Sequence, residues 1–96
     1  MNKQKIMKEI ASNLPALEQN YHVKRLGIFG SVAKGEQKKD SDVDLLVEFS
    51  SPIGFFDFIR LENFLSKILK QKIDLVTKNA LKRGMKDEII KETLYV

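Results

Sequence analysis

Two apolar runs joined by a short polar stretch constrain this chain more than anything else in it. The first ends at Phe29 in Gly30-Ser31; ten residues later Asp42 and Asp44 open the second, which continues to Phe49. Both runs are short, rich in branched and aromatic residues and bounded by turn formers, so they read as strands over residues 23–29 and 42–49. Successive side chains on a strand alternate faces. Asp42 and Asp44 therefore point the same way, about 7 Å apart at Cα, with Val43, Leu45, Val47 and Phe49 on the opposite face. Two carboxylates on a strand that otherwise reads as core are unfavourable without a positive partner. Magnesium is the usual partner of hard oxygen ligands. A Gly-Ser turn entering a helix offers backbone N–H groups and a hydroxyl to phosphate oxygens. Together the two halves describe a metal–nucleotide site.

The rest of the chain supplies the frame for that site. Ile6, Ile10 and Leu14 recur at four-residue spacing and predict an amphipathic helix over residues 3–13. Pro15 suits the first turn of a second, short helix through Glu18, closed by residues 20–22. Residues 31–34 make one helical turn stopped by Gly35, and residues 36–40 form a charged loop. Phe58, Leu61, Leu65 and Ile68, with Leu69, predict a long helix over residues 55–70. A third strand follows at 73–77, then helix over 79–93 with a break at Gly84. The apolar tail, Leu94-Tyr95-Val96, is expected to fold back onto the sheet, with a partner contact as the alternative.

Topology follows from where the polar residues fall. Gly30-Ser31 ends strand one and the aspartate pair starts strand two, so they share a site only if these strands are antiparallel. A long helix then returns strand two to strand three, the unit that yields a right-handed parallel crossover. That places Asp74, at the start of strand three, beside Asp42 and Asp44. The expected fold class is α/β (α+β): a small mixed sheet with helices packed mainly on one face. Three carboxylates can hold two magnesium ions about 3.5–4 Å apart, the arrangement that clamps attacking and leaving oxygens in phosphoryl transfer.

Size and composition exclude much else. Ninety-six residues make a single domain, 1–96, with a modest core. Cysteine is absent, so disulfides, thiolate nucleophiles and zinc–cysteine sites are ruled out. The charged N-terminus is unlike a signal peptide, and no apolar run approaches the ~20 residues that span a bilayer, so the expected address is the cytoplasm, without membrane contact. The net charge of +4 is carried by the two ends, while residues 26–76 hold seven basic against eight acidic residues. No stripe of aromatic and basic residues suggests direct nucleic-acid binding. His22, the only histidine, reads as a surface residue at a helix end.

Gly30-Ser31, ten residues, then Asp42-Val43-Asp44 resembles the signature of the DNA polymerase beta-like nucleotidyltransferase superfamily, most closely its minimal, single-domain (MNT-type) branch. Members often run Phe-Gly-Ser-x-Ala-Arg-Gly and then Ser-Asp-x-Asp-Leu-Leu-Val; this chain has Phe29-Gly-Ser-Val-Ala-Lys-Gly35 and Ser41-Asp-Val-Asp-Leu-Leu-Val47. The resemblance continues through Ile73-Asp-Leu-Val76 to Glu92-Thr-Leu-Tyr-Val96. It implies the nucleotidyltransferase fold and magnesium-dependent transfer of AMP from ATP to a hydroxyl. It implies that Asp42 and Asp44 bridge two Mg2+ ions and carry the nucleotide phosphates. Asp74 would hold the ion that activates the acceptor and take up its proton. Gly30 and Ser31 would cradle the β- and γ-phosphates. Lys34 stands where arginine is common; it keeps a positive charge near the phosphates and loses the bidentate fork. Minimal members are the antitoxins of HEPN–MNT pairs, which adenylylate a tyrosine of the HEPN ribonuclease. The resemblance therefore implies a nucleoside triphosphate and a HEPN-type toxin as partners, and leaves a homo-oligomer open.

Plainer readings stand beside these. Asp42 could cap a turn with Ser41, Asp74 could be an edge-strand residue facing water, and Lys34 could be solvated. Gly30 as a turn glycine and Ser31 as an N-cap are both compatible with phosphate binding. Phe55, Phe56 and Phe58 cannot all face inward, so Phe56 is left for a base pocket or a partner surface. The competing function is a module that binds nucleotide or occludes a partner without catalysis.

Overall fold

A computed structural model describes residues 2–36, 38 and 42–96. Ser41 of the Ser-Asp-x-Asp motif, and Lys39 and Asp40 of the charged loop, lie outside the described residues. In chain order the elements are α1 (Lys3–Ser12), α2 (Leu14–Tyr21), β1 (Val23–Phe29), α3 (Gly30–Ala33), β2 (Val43–Phe49), α4 (Phe55–Leu69), β3 (Ile73–Thr77), a 3-10 turn (Lys78–Ala80), α5 (Lys86–Glu92) and β4 (Leu94–Tyr95).

The strands form one mixed sheet in the order β3-β2-β1-β4. β1 and β2 are antiparallel, β2 and β3 parallel, as the shared site requires. On one face Leu26, Ile28, Val43, Leu45, Val47, Ile73 and Leu75 are buried against Ile6 and Ile10 of α1, Leu17 of α2 and Leu61, Leu65 and Leu69 of α4. Burial of these side chains is the main stabilising term, about 1.5–3 kcal/mol for each large one. A bulge at Lys24 explains how Val23 joins the same core. Val23 pairs with Phe49 and Arg25 with Glu48, so β1 carries one extra residue and its inward positions change from odd to even.

The helices end where their capping chemistry says they should. Asn2 accepts from the Lys5 N–H at 3.0 Å and starts α1. His22 closes α2 in the left-handed region (φ 56°), and its carbonyl accepts from the Ser50 N–H at 2.8 Å. It is an exposed helix-end residue, as expected. Helix α2 runs three residues past Glu18 because Leu17 and Tyr21, four apart, share one face; Leu17 is buried and Tyr21 stacks on Phe64 at 5.7 Å.

The C-terminal region departs further from the sequence expectation. Helix over 79–93 shortens to α5, preceded by a 3-10 turn, because Gly84 and the polar stretch around it offer no apolar stripe to hold a longer one. The tail does return to the sheet: β4 pairs with β1 at Gly27↔Tyr95 and Ile28↔Leu94. Among the described residues no helix is long and apolar enough to cross a membrane.

Candidate active site

Strand alternation puts Asp44 and Asp74 on the face opposite the helices, and the parallel register sets them directly side by side. Asp42, exposed, stands one residue before β2. The crowding has an electrostatic signature. Burial first, then the charges of Asp74 and Asp42 and a hydrogen bond with Asp74, push the Asp44 carboxyl up to about 6. A half-buried carboxyl flanked by two others holds its proton longer because ionising would place like charges together.

The Gly30 backbone approaches this cluster from β1. Phe29, the last residue of that strand, pairs with Asp44. Gly30 has φ +72°, and a Cβ there would run into the Asp44 carboxylate. Only glycine satisfies both the backbone angle and the contact. It is therefore more than a turn glycine. Ser31 is half-buried in the same turn, and Gly35, also at φ +72°, ends it.

Lys34 closes α3, its N–H donating to the Gly30 carbonyl at 3.2 Å. Its ammonium lies 3.5 Å from Glu92 Oε2, at the end of α5. The sequence reading named Lys34 and passed over Glu92. Nothing local connects residues 34 and 92; only the return of the tail along β1 brings them together.

The donor set consists of carboxylates, the hard-oxygen chemistry that suits magnesium rather than zinc or copper. Among the described residues, however, no group of three His, Cys, Asp or Glu side chains stands arranged to hold a metal ion.

Features at the far end of the sheet do not belong to this site. A recess of about 490 Å³ lies there, lined by Glu48, Ser51, Thr77 and Lys78 and by none of the three aspartates. Phe55 and Phe56 open α4 at the same end, 71% and 78% exposed, while Phe58 packs against Phe49 at 6.4 Å. Helix α4 starts beyond the C-terminal end of β2, and the acids sit at its N-terminal end. Phe56 is thus removed from any base pocket at the acids.

Comparison with known proteins agrees with this fold. The chain is 40% identical over 94 residues to the protein adenylyltransferase MntA of Thermococcus cleftensis, covering 94% of this chain and 95% of that protein. A solved structure provisionally described as a minimal nucleotidyltransferase superposes with a TM-score of 0.84 at 29% identity, over 98% of this chain and 95% of that one. A tri-AMPylated HEPN toxin in complex with its MNT antitoxin, from Shewanella oneidensis, shares the fold at a TM-score of 0.59 and 18% identity, over 96% of this chain and 66% of that one. The family model of the nucleotidyltransferase domain matches residues 7–96. The chain belongs to the nucleotidyltransferase domain family.

Proposed function

We propose that this chain is a protein adenylyltransferase that moves AMP from ATP onto a hydroxyl, a tyrosine of a HEPN-type toxin, and so acts as the antitoxin of a cytoplasmic pair. One observation carries the reading: Asp44 and Asp74 stand in register on adjacent strands, with the Gly30 backbone pressed against Asp44. The adenylyltransferase activity of the Thermococcus relative and the AMP-bearing toxin in the Shewanella complex support the choice of donor and acceptor.

Each group has a role in that reaction. Asp42, Asp44 and Asp74 would hold two magnesium ions through hard carboxylate oxygens. When bound, the metal neutralises charge on the phosphates and makes the acceptor hydroxyl easier to deprotonate. Asp74, exposed on the edge strand, would take the hydroxyl proton. Gly30 and Ser31 direct a backbone N–H and a hydroxyl at the departing pyrophosphate, and Lys34 adds positive charge beside it.

The competing reading is nucleotide or partner binding without catalysis. Incubation with α-labelled ATP, magnesium and cell lysate separates the two. Transfer is expected to label a protein on tyrosine, located by peptide mass spectrometry, and to be lost when Asp42→Ala and Asp44→Ala are combined. Absence of label, with partner binding intact in the double variant, would leave the binding module as the function.

A further inference from the structure

The Lys34–Glu92 ion pair joins the candidate phosphate turn to the C-terminal helix. Lys34 sits one turn after Gly30, which abuts Asp44. Its side chain is 51% exposed and lies on a flexible stem, whereas that of Glu92 is 26% exposed. The backbone after Glu92 is also held firmly. Thr93 is buried and its hydroxyl donates to the Ile89 carbonyl at 2.6 Å, and β4 then pairs with β1 through Leu94 and Tyr95. The acid is the fixed member of the pair and the lysine the mobile one.

We propose that Glu92 is a positioning residue for Lys34 that weakens the chain's hold on polyphosphate, because its carboxylate competes with the phosphates for the lysine ammonium. The inference rests on the reading of Lys34 as a phosphate contact. A polyphosphate carries more charge than one carboxylate, so bound nucleotide draws Lys34 away. Glu92 stays behind, unpaired and close to the incoming anion. When pyrophosphate departs, the carboxylate recovers the lysine. The competition lowers affinity for nucleotide and leaving group alike, which favours release. A pair this exposed shifts an equilibrium by a factor of about two to five.

Calorimetric titration of the full chain with a non-hydrolysable ATP analogue, and separately with inorganic pyrophosphate, both in magnesium, tests this. Glu92→Gln is expected to lower both dissociation constants about two- to fivefold, Lys34→Met to raise them, and Glu92→Gln to add nothing in the Lys34→Met background. Unchanged or weaker binding in Glu92→Gln, with Lys34→Met still weakened, overturns the role of Glu92 and leaves the site reading standing. Equal tightening in the Lys34→Met background also overturns it, since the acid would then act by general repulsion. No effect of Lys34→Met removes the phosphate role of the lysine, and this inference with it. Should Glu92→Gln lose its circular dichroism, Glu92→Asp, which keeps the charge and shortens the reach, takes its place with the same expected direction.

Discussion

At the scale of single residues, Asp44 carries the tension of the site. Its carboxyl is raised to about 6 in the folded chain, against an ordinary value of 3.8. Between those two values the folded state keeps a proton that the unfolded chain has released. Stability therefore falls as pH rises through that window and stays lowered above about 6. The full shift corresponds to at most about 3 kcal/mol, and solvent reaching a half-buried carboxyl reduces that to about 1 kcal/mol. Asp44→Asn removes the charge and retains an amide that can donate to Asp74. The variant is expected to melt about 4–8 °C above wild type at pH 7.5 without ligand, with the gain vanishing near pH 4. Differential scanning calorimetry across that range reads the difference. A variant less stable than wild type at pH 7.5 would mean that Asp44 is a structural acid rather than a repelled one.

The elements show how far local pattern reaches. β1, β3 and α4 were legible because each has its own signal: branched residues between turn formers, or Leu61, Leu65 and Leu69 at four-residue spacing. The antiparallel and parallel pairings were legible too, since the site residues leave few topologies able to bring them together. β4 was not legible as a strand, because two residues hold no periodicity and its pairing depends on a partner more than sixty positions earlier. Gly27 belongs to the same lesson. In sequence it is an unremarked glycine inside β1; in the fold a Cβ there would strike Thr93 Cγ2 and meet Tyr95 Cδ1 at 3.0 Å and the Leu94 carbonyl at 3.1 Å. Two of those neighbours are backbone or buried groups with little room to yield. Gly27→Ala is therefore expected to displace β4 and destabilise by about 1–3 kcal/mol, the usual range for overpacking. Urea unfolding measures that loss. Hydrogen exchange at Val96, whose N–H donates to the Leu26 carbonyl at 2.9 Å, reports whether the tail has lifted.

Over the whole molecule, one arrangement explains both the stability and the reactivity. Helices α1, α2 and α4 cover the face bearing Leu26, Ile28, Leu45 and Val47, which leaves the opposite face free to hold acids at its upper edge. Sequence could place Asp44 beside Asp74 because strand alternation and a right-handed crossover fix them, while Asp42 stands just outside β2. It could not find the Lys34–Glu92 pair, which depends on the path of the last ten residues across the fold. On the proposed magnesium–nucleotide reading, cations would relieve the crowding around Asp44, so ligand binding would be coupled to folding. Millimolar magnesium with ATP is expected to raise the melting temperature. At a hundredfold excess over the dissociation constant, linkage supplies about 2.7 kcal/mol, or roughly 10 °C or more for a domain of this size. Magnesium or ATP alone is expected to do less, because each leaves part of the charge uncompensated. Asp42→Asn takes one carboxylate from the set while leaving β2 intact, and its melting curve is expected to respond less to the pair than wild type does. Thermal melts with each component separately and together decide the matter: a wild-type curve unmoved by magnesium-ATP would mean that the crowded acids do not form a nucleotide–metal site.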